Sequence, residues 1–269
     1  MKQLKFMTVC LLALCIMLPS VATAGTLEDI MARGDRGILR VGMEPGYMPF
    51  ELTNKKGEIV GFDVDMAKRM AKAMGVELEL VSTAWDGIIP ALLTKKFDII
   101  MSGMTLTQER NMKINFAQPY IIIGQTILLK KDLAGKVMSY KDLNDPKYTV
   151  ASKLGTTGEQ ATKRMLKKAK YISYDTEQEG VLELVNGKID AFIYDMPYNA
   201  AAFVQRGQGK IVHLDKPFTY EPLAWAVRKG DFDFINWLNN FSNQIRNDGT
   251  YDKIYAKWFE DDAWMKDLQ

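Results

Sequence analysis

An α/β chain folded as two similar lobes is what this sequence predicts, and three observations carry the prediction. Short apolar strands alternate with amphipathic helical segments along most of the chain, the order that builds mainly parallel sheets flanked by helices. Leu92-Leu93-Thr94-Lys95-Lys96-Phe97-Asp98-Ile99-Ile100 resembles Leu184-Val185-Asn186-Gly187-Lys188-Ile189-Asp190-Ala191-Phe192 at a constant offset of 92. Val41-Gly42-Met43-Glu44-Pro45-Gly46 and Val150-Ala151-Ser152-Lys153-Leu154-Gly155 both run from a strand into a glycine turn, so each lobe opens with the same device. With 269 residues, 47% of them hydrophobic and 25% charged, the chain is long enough for two modest cores.

The first 24 residues stand apart. Lys2 and Lys5 precede an apolar run from Phe6 to Leu18, followed by the small-residue site Ala22-Thr23-Ala24, the pattern of a secretory signal cleaved after Ala24. As a helix that run reaches only about 20 Å, short of the roughly 30 Å hydrocarbon core. Its removal takes two lysines and no acids, leaving 33 basic against 33 acidic side chains. That balance excludes the basic footprint of a nucleic-acid binder. Cys10 and Cys15 leave with the signal, so the exported chain has no thiol for a disulfide or a soft metal. Leu14 is too bulky to precede a lipidated Cys15.

Next in order, Ile38 to Gly42 and Val76 to Val81 read as strands. Between them Gly61 to Met74 places Val64, Ala67, Met70, Ala71 and Met74 on one helical stripe, with Asp63 expected as its cap and Gly75 as its end. Further strands are expected at Phe97 to Met101, Tyr148 to Ala151, Tyr171 to Tyr174, Ile189 to Ile193 and Leu223 to Val227. Open α/β sheets bind ligands beyond the carboxyl ends of their strands, which puts the site in the post-strand turns. The offset of 92 makes Gly103 the counterpart of Asp195, so the two lobes can present equivalent loops to one cleft.

Signatures of catalysis are scarce: there is no His-Glu-x-x-His, no P-loop and no Gly-x-Ser-x-Gly. The single histidine, His213, lies in the apolar stretch Ile211 to Leu214 and reads as structural; neither a metal nor a cofactor is expected. The polar groups present suit a zwitterion instead. Met101 to Arg110 leaves a strand and enters a helix, with Thr107 a natural N-cap and Arg110 three residues on. Arg110 can grip a carboxylate through two parallel hydrogen bonds, or stand on the surface where the helix dipole opposes it. Gly155-Thr156-Thr157-Gly158 can cradle an anion or simply cap the following helix. Asp195, at the end of another strand, can accept bonds from an ammonium group or cap the helix beginning near Pro197. Tyr47, Phe50 and Trp85 add aromatic faces on post-strand loops, although any one aromatic can equally be core.

Five motifs in order then carry a family resemblance: Tyr47-Met48-Pro49-Phe50-Glu51, Gly61-Phe62-Asp63-Val64-Asp65, Trp85-Asp86-Gly87-Ile88-Ile89-Pro90-Ala91-Leu92, Gly103-Met104-Thr105-Leu106-Thr107-Gln108-Glu109-Arg110, and Gly249 through Phe259. The chain resembles the polar amino-acid-binding solute receptors of bacterial ABC importers, family 3, the type with a glutamine-binding member, over essentially all of Leu39 to Phe259. The resemblance implies a type II periplasmic-binding-protein fold, with lobe 1 formed by Gly25 to Tyr120 plus Pro222 to Gln269 and lobe 2 by Ile121 to Glu221. It implies that Arg110 binds the α-carboxylate with backbone N–H groups of Thr105 and Thr157, and that Asp195, the Gly103 carbonyl and the Thr105 hydroxyl hold the α-ammonium. Tyr47 and Trp85 would flank the ligand side chain, with Glu44 and Lys153 at its far end. Thr157 stands where the glutamine-binding type has Gly, and Tyr194 where it has His.

On this resemblance the protein is expected to be a monomeric periplasmic receptor, without catalytic residues or cofactor, that hands an L-amino acid to an inner-membrane ABC permease. A glutamine amide would satisfy both Lys153 and Glu44, which makes glutamine or a similar neutral ligand the expectation; alternatively Lys153 and Glu44 pair with each other or point to solvent, leaving selectivity to pocket shape. The alternative on the same scaffold is a cyclohexadienyl dehydratase acting on arogenate or prephenate.

Overall fold

The computed structural model describes residues 25–207 and 209–268; the expected signal segment and its cleavage site lie outside the described residues. A short helix α1 (Thr26–Met31) leads into β1 (Ile38–Met43), where Leu39, Val41 and Met43 are fully buried. The hairpin β2 (Leu52–Thr53) and β3 (Ile59–Val60) turns the chain into α2 (Phe62–Met74). Its Val64, Ala67, Met70 and Ala71 form the buried stripe that a 3.6-residue period dictates, and Gly75 ends it at φ 73°. The start differs from expectation: Gly61 occupies the cap position, and Asp63 turns its carboxylate inward to Gly103 and Tyr120. After β4 (Glu77–Ser82), α3 (Trp85–Leu93), β5 (Ile99–Ile100), α4 (Gln108–Asn111) and β6 (Asn115–Phe116) complete the first pass.

The chain then runs through β7 (Ile121–Ile123) into β8 (Gln125–Lys130), β9 (Thr149–Lys153), α5 (Thr157–Met165), β10 (Lys170–Tyr174), α6 (Glu177–Val185), β11 (Ala191–Asp195), α7 (Met196–Ala202) and β12 (Ile211–Leu214). It returns through β13 (Glu221–Leu223) to β14 (Ala226–Val227), and α8 (Phe232–Asn247) and α9 (Thr250–Tyr255) follow. Two five-stranded sheets result, in the orders β4-β1-β5-β14-β6 and β10-β9-β11-β8-β12. In each, the first three strands are parallel and the remaining two add antiparallel pairings. Between the sheets β7 and β13 pair antiparallel, Ile121 opposite Leu223 and Ile123 opposite Glu221. The strand expected at Leu223 to Val227 is therefore split, Leu223 joining β13 and Ala226–Val227 joining the first sheet. Among the described residues no helix is long and apolar enough to cross a membrane.

The internal repeat is a repeat of register. Val41 and Gly42 pair with Ile99 and Ile100 in one sheet, as Val150 and Ala151 pair with Ala191 and Phe192 in the other. The repeated aspartates fasten these strands the same way. The Asp98 N–H donates to the Arg40 carbonyl and its carboxylate accepts from the Arg40 N–H, both at 2.9 Å. Asp190 does the same with Thr149, both at 2.8 Å. The turns that follow β1, β5, β9 and β11 consequently emerge at matched places in the two lobes.

Candidate functional site

Those turns meet in a cleft whose first wall is built of Glu44 and Tyr47 after β1, Glu51 before the β2 hairpin, Trp85 at the start of α3, and Ser102, Gly103, Thr105 and Arg110 after β5. Thr156, Thr157, Tyr194 and Asp195 form the facing wall. The lining encloses only about 20 Å³, so the polar groups of one lobe satisfy those of the other. Of the residues to which the resemblance assigns a binding role, all but Lys153 line this cavity; Phe50, Gly155 and Gly158, also candidates, do not.

Arg110 sits in the first turn of α4, where Thr107 caps the helix by accepting the Arg110 N–H at 3.1 Å. The residue is 7% exposed, and its guanidinium donates to the carbonyls of Thr105 at 2.9 Å and Gly155 at 3.4 Å and lies 5.2 Å from the Trp85 ring centre. Burial lowers its pKa, opposed by Asp195 and Glu221. The indole N–H of Trp85 reaches across to the Gly155 carbonyl at 3.0 Å. In the facing lobe Thr156 caps α5 by accepting the Glu159 N–H, while the Thr157 hydroxyl lies 3.5 Å from that of Thr105. The Gly155 to Gly158 turn thus both caps its helix and faces Arg110.

Asp195 occupies the cap position of α7, yet its side chain makes no cap bond. The carboxylate instead accepts from the Tyr47 hydroxyl and the Gln125 amide, at 7% exposure. Burial pushes its pKa up to about 7, with Tyr47, Gln125 and Arg110 pulling the other way. Tyr47 stacks on Phe50 at 4.7 Å and meets Tyr194 edge-on at 5.7 Å. Opposite it, Gly103 adopts φ 52°, and a Cβ there would fall 2.1 Å from the Tyr47 ring, so only glycine allows the loop to close on the tyrosine.

A second polar group surrounds Glu44. Its backbone N–H donates to the Ser102 hydroxyl at 3.1 Å, and that hydroxyl donates to Glu51 at 2.6 Å. Glu51 and Asp63 are fully buried. Asp63 accepts from the Gly103 N–H at 2.9 Å and the Tyr120 hydroxyl at 3.0 Å, and burial raises it to about 7. Burial, and after it the neighbouring Asp63 charge, raise Glu51 well above the ordinary carboxylate range. One Glu51 oxygen, Oε2, has no hydrogen-bond partner. Of the two arrangements open for Lys153 and Glu44, the structure has them paired: the Lys153 ammonium bonds Glu44 across the cleft and, in addition, Glu177 of α6 at 2.7 Å. Burial opposes the charge on Lys153, but the two carboxylates keep its pKa above the ordinary value.

Sequence reasoning passed over Glu51, Ser102 and Tyr194 as lining groups, and Glu177 beyond them. Glu51 carried a signal, since it closes the Tyr47-Met48-Pro49-Phe50-Glu51 motif; Glu177 follows an ordinary N-cap threonine and carried none. His213, on β12, bonds Thr126 at 3.0 Å and has its pKa lowered by burial, in keeping with a structural role.

This two-lobed α/β architecture with a polar cleft between its sheets matches the model of the bacterial extracellular solute-binding proteins, family 3, over residues 39–261, and the chain belongs to that family. Its fold is the type II periplasmic-binding-protein fold. The L-cystine-binding protein of Escherichia coli K12 is 31% identical over 244 residues, 91% of this chain and 90% of the relative. The ABC transporter arginine-binding protein 1 of the same organism is 32% identical over 225 residues, covering 82% and 90%. Among solved structures, a binding component of an ABC transporter from Wolinella succinogenes, complexed with lysine, is 58% identical with TM-score 0.84 over 86% of this chain and 99% of that one. An ancestral amino acid-binding protein, a precursor of cyclohexadienyl dehydratase, is 50% identical with TM-score 0.82 over 87% and 100%. These relatives are binding proteins of amino acids rather than enzymes, and the protein is an amino-acid-binding receptor of the ABC-transporter type.

Proposed function

We propose that this receptor works in the periplasm, after cleavage of its signal at Ala24, and delivers an L-amino acid with a cationic side chain to an ABC permease. The observation that carries the side-chain class is the charge around Glu44. Glu44 and Glu177 stand against the single cation Lys153, which leaves one negative charge for the ligand to balance. Glutamine, suggested by Glu44 and Lys153 taken alone, would leave that charge unmatched, and it would find Lys153 already bonded twice. The lysine held by the 58% identical Wolinella protein supports the same class.

In this reading Arg110 exchanges its bonds to the Thr105 and Gly155 carbonyls for the ligand carboxylate, helped by the N–H groups of Thr105 and Thr157. Asp195 exchanges Tyr47 and Gln125 for the ammonium, with the Gly103 carbonyl and Thr105 hydroxyl, while Tyr47 and Trp85 flank the side chain. Entry requires the lobes to part, and the paired segments 121–123 and 221–223 are the two crossings about which lobe 1 and lobe 2 would turn. Calorimetric titration with each common amino acid, and with arogenate and prephenate, tests the reading. Lysine or arginine is expected to bind tightest, unchanged afterwards by mass analysis. Tighter binding of glutamine than of both would reject the cationic class, and turnover of arogenate or prephenate would reject the receptor.

A further inference from the structure

Lys153 is fully buried at the end of β9, and neither it nor its partner Glu177 lines the cleft. Glu177, 1% exposed at the first turn of α6, accepts from the ammonium at 2.7 Å. The same ammonium bonds Glu44, which does line the cleft and comes from the opposite lobe. One ammonium is thus shared by two carboxylates, of which only Glu44 faces a ligand.

We propose that Lys153 is a specificity-determining residue that acts as a resident competitor for the ligand's side-chain cation, with Glu177 setting how strongly it competes. This deepens the cationic-ligand reading and rests on it. By bonding Glu44, Lys153 withdraws part of that carboxylate's charge from the cleft; by drawing Lys153 back, Glu177 restores part of it. The two residues therefore act on selectivity in opposite directions without touching the ligand. Unit charges a few ångströms apart in a partly buried site interact strongly enough to change an affinity by about tenfold or more.

The test compares L-lysine and L-glutamine by calorimetry at pH 7.5, as the ratio of the glutamine Kd to the lysine Kd. Lys153→Met bares Glu44, whether or not Glu177 then takes up a proton, and the ratio should rise about tenfold. Glu177→Gln leaves Lys153 to Glu44 alone, and the ratio should fall about tenfold. A role in packing alone would weaken both ligands together and leave the ratio where it was. Ratios within about twofold of the wild type, or shifts in the same direction, overturn the proposal. If Lys153→Met does not fold, Glu177→Gln decides: a fall supports the proposal, and an unchanged or raised ratio overturns it. A wild type that prefers glutamine would sink the cationic reading itself, while the opposed shifts would still report on Lys153.

Discussion

At the scale of single residues, the site is governed by how burial changes charge. Arg110 retains its charge under burial because a guanidinium titrates so far above neutrality, whereas Asp195 is raised by burial to about 7. Only the ionised carboxylate can hold an α-ammonium. Amino-acid affinity should therefore be constant above pH about 7.5 and weaken by close to tenfold per unit below pH 7, as a proton must leave Asp195 before the ligand is held. Titrations at pH 5.5, 6.5 and 7.5 check this, and Asp195→Asn should flatten the profile while weakening binding throughout. An unaltered slope in that variant would move the ammonium site elsewhere. Arg110, Asp195 and the aromatic pair could be read from the chain because each follows a recognisable strand or cap. The second partner of Lys153 could not be read, because Glu177 lies 24 positions on and nothing local in the sequence announces that the two meet.

Elements show where pattern reading succeeds and where it stops. The buried stripe of α2 and the register of β1 with β5 and of β9 with β11 follow from periodicity and from the repeat. β8 escaped because Gln125 to Leu129 are all buried, in a strand covered on both faces, and such a run shows no alternation. The break between β13 and β14 escaped because a change of sheet leaves no mark in hydropathy. The repeat also makes a prediction about energy. Asp98 and Asp190 make the same strand-fastening bonds, but Asp98 is fully buried and is gripped by Arg33 at 2.5 and 2.7 Å, with Arg40 and Arg228 within 4 Å. Asp98→Ala leaves those arginines without their common carboxylate and should destabilise the fold by about 3–5 kcal/mol. Asp190→Ala loses essentially one backbone amide bond and should cost about 1 kcal/mol. Urea denaturation of the two variants measures both, and equal losses would mean that the arginine cluster contributes nothing beyond the shared fastening.

For the whole molecule, the buried carboxylates make stability and ligand binding respond to pH in opposite senses. Asp63 and Asp195 rest near 7 when folded against about 3.8 when unfolded. Between those values the folded chain binds the extra proton, so stability falls as pH rises from about 4 to 7, by up to about 1.4 kcal/mol per unit for each group, and is level above that. His213, lowered by burial, works the other way below pH 6.5, but it is a single group. The carboxylates lowered at exposed turns, Asp142, Asp145 and Asp248, lose their contribution only below the ordinary carboxylate range. The ligand-free protein should therefore melt several degrees higher at pH 5.5 than at pH 7.5. Of these two aspartates a saturating basic amino acid meets only Asp195, since Asp63 does not line the cleft. A ligand that binds only the folded form with Asp195 ionised adds most stability where that form needs no deprotonation, so the rise in Tm on adding lysine should be larger at pH 7.5 than at pH 5.5. Scanning calorimetry with and without lysine across this range separates the two carboxylates. If the two melting curves run parallel, Asp195 is not the ammonium partner; if the ligand-free Tm climbs with pH, the interior does not hold these carboxyls protonated, and the polar floor of the cleft must be solvated.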